Sequence, residues 1–132
     1  MRIFVLEDNE ERIKQFKKAF ADHTWTMVQT ADAAIRHLTM DSEYDIVFLD
    51  HDLGGQQYVS TRDKNTGSEV VRWMLSDEGT IPKDKRIVIH SMNPDAATSM
   101  HINLASAGFT AIDHIPFITL RIILGEIAAG NQ

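Results

Sequence analysis

The sequence predicts an α/β fold in which a parallel sheet is covered by helices on both faces. Short apolar runs alternate with amphipathic segments from one end of the chain to the other, giving five strand-helix units. One run, Asp45 to Leu49, has little polar-apolar alternation, as expected of a central strand buried on both faces. The 132 residues, 43% of them hydrophobic, suit one domain with one well-packed core, and no repeat or linker divides them.

The first strand is read over 2–6, followed by a helix from about 10 to 21 with Ile13, Phe16, Ala19 and Phe20 as its apolar stripe. Trp25 to Val28 reads as the second strand, and Thr30 as the N-cap of a helix through Ala34, Ile35 and Leu38. After the third strand, the segment at about 50–66 is rich in turn formers and lacks periodicity, so it is expected to be an extended loop and a candidate lid. Thr66 and Glu69 have capping-box spacing and start a helix whose buried side is expected to include Val70, Val71, Met74 and Leu75. Arg86 to Ile89 gives the fourth strand, and Asn93-Pro94 starts the helix marked by Ala97, Met100 and Leu104. Phe109 to Ile112 is expected to form the fifth strand, and Pro116 precedes an apolar last helix. Ile118, Ile122 and Leu124 spread apolar surface around that helix, which suits either a homodimer contact or extra burial within the chain.

Composition narrows the chemistry. Without cysteine there is neither a disulfide nor a thiolate nucleophile. A formal charge of -6 argues against a non-specific grip on duplex DNA or RNA, though not against a nucleotide or an RNA end. No run approaches the roughly eighteen apolar residues of a membrane span, and the N-terminus lacks a secretory signal pattern, so the expectation is a cytoplasmic protein without membrane attachment.

Three predicted strands end in side chains able to form one site. Glu7-Asp8 follows the first, Asp50-His51-Asp52-Leu53-Gly54-Gly55 the third, and His90-Ser91-Met92-Asn93 the fourth. In open α/β sheets, sites form at the C-terminal ends of strands. Carboxylates gathered there repel one another, and a hard divalent cation that also takes phosphate oxygens relieves the repulsion. Asp8, Asp50 and Asp52, with Glu7 beside them, are the candidate metal ligands. Asp50 either ligates the ion or attacks phosphorus, and Asp52 either ligates or handles a proton. His51 and His90 are candidates for proton transfer at neutral pH, while Ser91 and Asn93 are candidates for contacting phosphate oxygens at a helix N-terminus. Asn93 as a simple cap, and Arg62 and Lys64 as solvated loop charges, are the plainer readings of those residues.

The element order together with Glu7-Asp8, Asp50 and Ser91 resembles the receiver domain of two-component response regulators across nearly the whole chain. That resemblance implies a receiver-like (flavodoxin-like) three-layer sandwich with a five-stranded parallel sheet. It also implies an acidic pair at Glu7 and Asp8 that binds magnesium with Asp50, a phosphoacceptor at Asp50 and a hydroxyl position at Ser91. Receivers normally carry lysine before the proline that follows the fifth strand, whereas this chain has Ile115-Pro116. The segments Leu49-Asp50-His51-Asp52-Leu53-Gly54-Gly55 and His90-Ser91-Met92-Asn93-Pro94 are similar instead to a divergent group, the cyclic-phosphate-processing receiver domains.

That group implies a metal-dependent phosphohydrolase or phosphodiesterase acting on a cyclic phosphate of a nucleotide or RNA end. Mg2+ is the first expectation for the ion, with Mn2+ or another transition metal as the alternative. Two further readings stand beside the enzyme. One is a receiver switched by phosphorylation of Asp50, and the other is an inert interaction module.

Overall fold

The computed structural model describes residues 1–55 and 57–131. Five strands, β1 (Arg2–Leu6), β2 (Thr24–Val28), β3 (Ile46–Leu49), β4 (Arg86–Ile89) and β5 (Ile112–His114), alternate with five helices. These are α1 (Glu10–Ala19), α2 (Ala31–Met40), α3 (Gly67–Leu75), α4 (Pro94–Ser106) and α5 (Phe117–Ala128). All strand pairs are parallel, in the order β2-β1-β3-β4-β5. This is the receiver-like (flavodoxin-like) α/β sandwich expected from the sequence. Its strand order reverses between β1 and β3, where such sheets open a crevice.

Side-chain alternation assigns each strand residue to a layer. Phe4, Leu6, Val47, Leu49, Ile87 and Ile89 pack against α2, α3 and α4, while Ile3, Val5, Ile46, Phe48 and Val88 pack against α1 and α5. The caps form at the positions that the sequence marks. Thr30 Oγ1 accepts from the Ala33 N–H, Asn93 Oδ1 from that of Ala96, and Thr66 Oγ1 from that of Glu69. The Glu69 carboxylate turns to Arg72, whose Nε lies 3.0 Å from it.

Three local expectations are corrected. β5 starts at Ile112 rather than Phe109, because Gly108, at φ 98°, closes α4 and Phe109 is consumed as a buried plug before the strand pairs with β4. On α3, Trp73 is buried with Val70, Val71 and Met74, three residues after Val70 on the same helix face, and Leu75 is exposed. On α5, Leu124 faces the core with Phe117, Leu120 and Ile127, whereas Ile118 and Ile122 are exposed. Among the described residues, no helix is long and apolar enough to cross a membrane.

Candidate metal centre and cleft

Strand register builds the centre. Leu6 pairs with Leu49, and Leu49 with Ile89, so the next residues, Glu7, Asp50 and His90, stand abreast on three neighbouring strands. The ladder carries one step further, with the Asp50 N–H donating to Leu6 O and the His90 N–H to Leu49 O. Since Leu6, Leu49 and Ile89 all face the α2–α4 layer, alternation turns the following three side chains toward α1 and α5. All three are buried, and their ligand atoms lie within 4.8 Å of one another. Two ligands of one divalent ion, each about 2.0–2.6 Å from it, span such separations.

Glu7 is held on both oxygens. Oε2 accepts from the N–H groups of Asp8 and Asn9, and Oε1 lies 3.1 Å from His90 Nε2 and 3.6 Å from Arg12 Nη1. Burial raises the Glu7 pKa, but the His90 contact, the Asn9 N–H and Arg12 together bring it below the usual carboxylate range. Asp50 has fewer donors. Burial and the neighbouring Glu7 charge raise it to about 7, against the pull of His90, the His51 N–H and Arg12. The pair thus keeps its charge on Glu7 and its proton on Asp50 at mildly acidic pH. The His90 ring packs edgewise against Phe16 and Phe117, and its Nδ1 is buried without a hydrogen-bond partner among the described residues.

A cleft of about 530 Å³ opens over Glu7 and Asp50, lined also by Asp8, Arg12, Asp52, Tyr58 and Met92. Asp8 Oδ2 accepts from the Gly55 N–H, where Gly54 and Gly55 take positive φ to turn the chain. Asp52 accepts from the N–H groups of Tyr58 and Val59 and from Asn93 Nδ2, so three donors fix its carboxylate at the rim. Neither Asp8 nor Asp52 joins the cluster of Glu7, Asp50 and His90.

The remaining sequence candidates lie outside the cleft lining. His51, one residue out of phase with Asp50, points toward α3 and is fully buried. Its Nε2 lies 2.7 Å from Val59 O and its Nδ1 2.9 Å from Ser68 Oγ. His90 sits behind Glu7. Ser91 is buried, its Oγ accepting from the Asn93 N–H, and Asn93 caps α4 while bracing Asp52.

Nothing local in the sequence marks Arg12, because a charge in the first turn of a surface helix reads as solvated. Its location follows from the cap at Asn9, whose Oδ1 accepts the Arg12 N–H and starts α1 directly over the crevice. The guanidinium carbon lies 5.1 Å from the centre of the Phe117 ring, and Nη1 lies 3.9 Å from Asp50 Oδ2. Arg12 therefore brings a cation to the centre from α1, while Ile115 packs into the core at the site before Pro116.

The fold is shared with solved response-regulator structures. The response regulator domain of Thermotoga maritima CheB aligns with a TM-score of 0.63 at 14% identity, covering 99% of this chain and 92% of that one. A CheY-like receiver domain protein from Methanospirillum hungatei JF-1 gives 0.62 at 15% identity, covering 98% and 92%. The Mn(2+)-bound form of response regulator Rcp1 gives 0.62 at 16% identity, covering 97% and 91%. No curated protein matches the sequence. Residues 1–106 match the model of the cyclic-phosphate processing receiver domain, and with the strand-end acids and His90 arranged on a receiver sheet, the chain belongs to that family.

Proposed function

We propose that the protein is a metal-dependent hydrolase that opens a cyclic phosphate on a nucleotide or RNA end. The observation that carries this reading is the buried cluster of Glu7, Asp50 and His90, whose two carboxyl groups line an open cleft with His90 behind them, together with the family match. Two carboxylates and an imidazole suit a divalent ion. The nitrogen donor favours Mn2+ or a similar transition metal over Mg2+, in keeping with the Mn(2+)-bound Rcp1 that shares the fold. Bound there, the ion would polarise the phosphate and make water more acidic.

Ring opening adds one water across a P–O ester bond. The water oxygen bonds to phosphorus, the ester bond breaks, and the proton passes to the departing alkoxide. Asp52 is the candidate to accept the water's proton, because its three donors occupy about three of four acceptor positions and leave one for water. Arg12 would balance charge growing on the phosphoryl oxygens. His51 is assigned to positioning, since both of its ring nitrogens are engaged with Val59 and Ser68.

A second reading is a phosphorylation-controlled receiver, favoured by Asp50 Oδ2 lying within 3.9 Å of a cation at the strand-end position. Incubation of Mn2+-loaded protein with a cyclic phosphate and, separately, with acetyl phosphate divides the two. The hydrolase reading predicts ring opening that Asp50→Asn abolishes. Covalent labelling of Asp50 by acetyl phosphate with no ring opening would favour the receiver instead.

A further inference from the structure

A second groove, of about 310 Å³, adjoins the acidic cleft and shares Arg12 and Met92 with it. Its sides are Arg12 and Gln15 of α1 and Ile118 and Arg121 of α5, with Phe117 beneath. Each helix contributes residues at i and i+3, which lie on one face, so the groove runs between the adjoining edges of the two helices. We propose that this groove is the subsite that holds the planar base of the nucleotide or RNA end whose cyclic phosphate lies in the acidic cleft. This assignment rests on the hydrolase reading of the neighbouring cleft.

The chemistry of the walls supports a heteroaromatic occupant. Met92 and Ile118 are 40% and 58% exposed and offer flat apolar surface beside a charged site. Gln15 offers an amide donor and acceptor for a base edge, and guanidinium groups stack on aromatic faces. The groove carries two arginines and no carboxylate, in a chain of net charge -6, so it suits a ligand with a negative charge near the ring. In Rossmann dinucleotide sites a carboxylate hydrogen-bonds the free ribose 2′-OH. A 2′,3′-cyclic phosphate has no free 2′-OH, which agrees with the lining. Continuity through Arg12 and Met92 lets one molecule place its phosphate over Asp50 and its base between α1 and α5.

The test compares kcat/KM of the Mn2+-loaded protein for adenosine 2′,3′-cyclic phosphate and for glycerol cyclic phosphate, in the wild type and in Ile118→Asp and Arg121→Glu, both at exposed sites. The base should favour the nucleoside substrate by at least about tenfold, the scale of one stacking contact. Either variant should reduce that ratio several-fold. Equal ratios across all proteins would overturn the groove assignment while leaving the hydrolase reading intact. If neither substrate is opened, the hydrolase reading fails and methyl NMR decides the groove. Shifts at Met92 and Ile118 with adenosine monophosphate but not inorganic phosphate support it. Absence of those shifts, or shifts that follow protein concentration alone and so report a second copy, overturns it.

Discussion

His90 Nε2 lies 3.1 Å from Glu7 Oε1, joining two buried side chains 83 residues apart in the chain. In the metal-free protein this contact is the main support for a carboxylate that stands beside the carboxyl of Asp50.

Removing His90 should therefore expose the cost of that juxtaposition. His90→Phe keeps the ring contacts with Phe16 and Phe117 but deprives Glu7 of its partner, and should destabilise the protein by about 2–4 kcal/mol in urea denaturation. Glu7→Gln in the same chain should recover part of the loss, because it removes the charge that His90 supports. The double variant should thus be more stable than additivity gives.

The pH dependence follows from Asp50. Its folded pKa, about 7, is above the ordinary value near 4, so between those values the folded protein binds more protons than the unfolded chain. Stability of the metal-free protein should be highest below about pH 4 as far as this group is concerned, and should fall as pH rises toward 7. For one group titrating across that span, linkage gives a loss on the order of 4 kcal/mol. Asp50→Asn should flatten the fall in a series of melts. Because the ion and the proton compete for Asp50, Mn2+ affinity should rise with pH up to about 7 and then level. Calorimetry near pH 6 in buffers of different ionisation heat should detect close to one proton released per ion bound.

Asp52 carries two separable duties. Asp52→Ala frees the Tyr58 and Val59 N–H groups and Asn93 Nδ2, so both ring opening and protease resistance of the 50–66 loop should fall. Asp52→Asn keeps one acceptor oxygen, enough for Val59 and Asn93, but turns an NH2 group toward the Tyr58 N–H and is a far weaker base. It should lower kcat by about 100-fold or more while loosening the loop less than Asp52→Ala does. Limited trypsin digestion beside steady-state kinetics makes the comparison.

Gly67 has no room for a side chain. A Cβ there would lie 1.8 Å from the Asp50 carbonyl oxygen, a backbone atom that can move only by shifting the end of β3. Gly67→Ala should cost about 2–3 kcal/mol and weaken Mn2+ binding with it, since the displaced residue is itself in the cluster. Calorimetric titration of the purified variant checks both.

Much of the scaffold is legible in the sequence because its signals are local. The unbroken apolar run at Ile46 to Leu49 and the caps at Thr66 and Asn93 carry their own physical warrant. β5 is harder to read because its residues Asp113 and His114 are only partly buried, whereas Phe109 is apolar for reasons of plugging rather than pairing. For the site, the strand-end acids are readable and part of their grouping is too. Extended chain alternates, so Asp50 and Asp52 share a side and His51 takes the other, where it meets Ser68. The convergence of His90 on Glu7 depends on register across three strands, and the approach of Arg12 depends on the angle at which α1 crosses the crevice. Neither is a local property of sequence.

The most direct measurement is a 31P NMR time course of adenosine 2′,3′-cyclic phosphate with Mn2+-loaded protein, read after the metal is chelated. The account predicts conversion of the cyclic resonance to a monoester resonance, absent when EDTA is added at the start and absent in Asp50→Asn. A cyclic resonance that persists unchanged, with Mn2+ demonstrably bound to the wild-type protein, would contradict it.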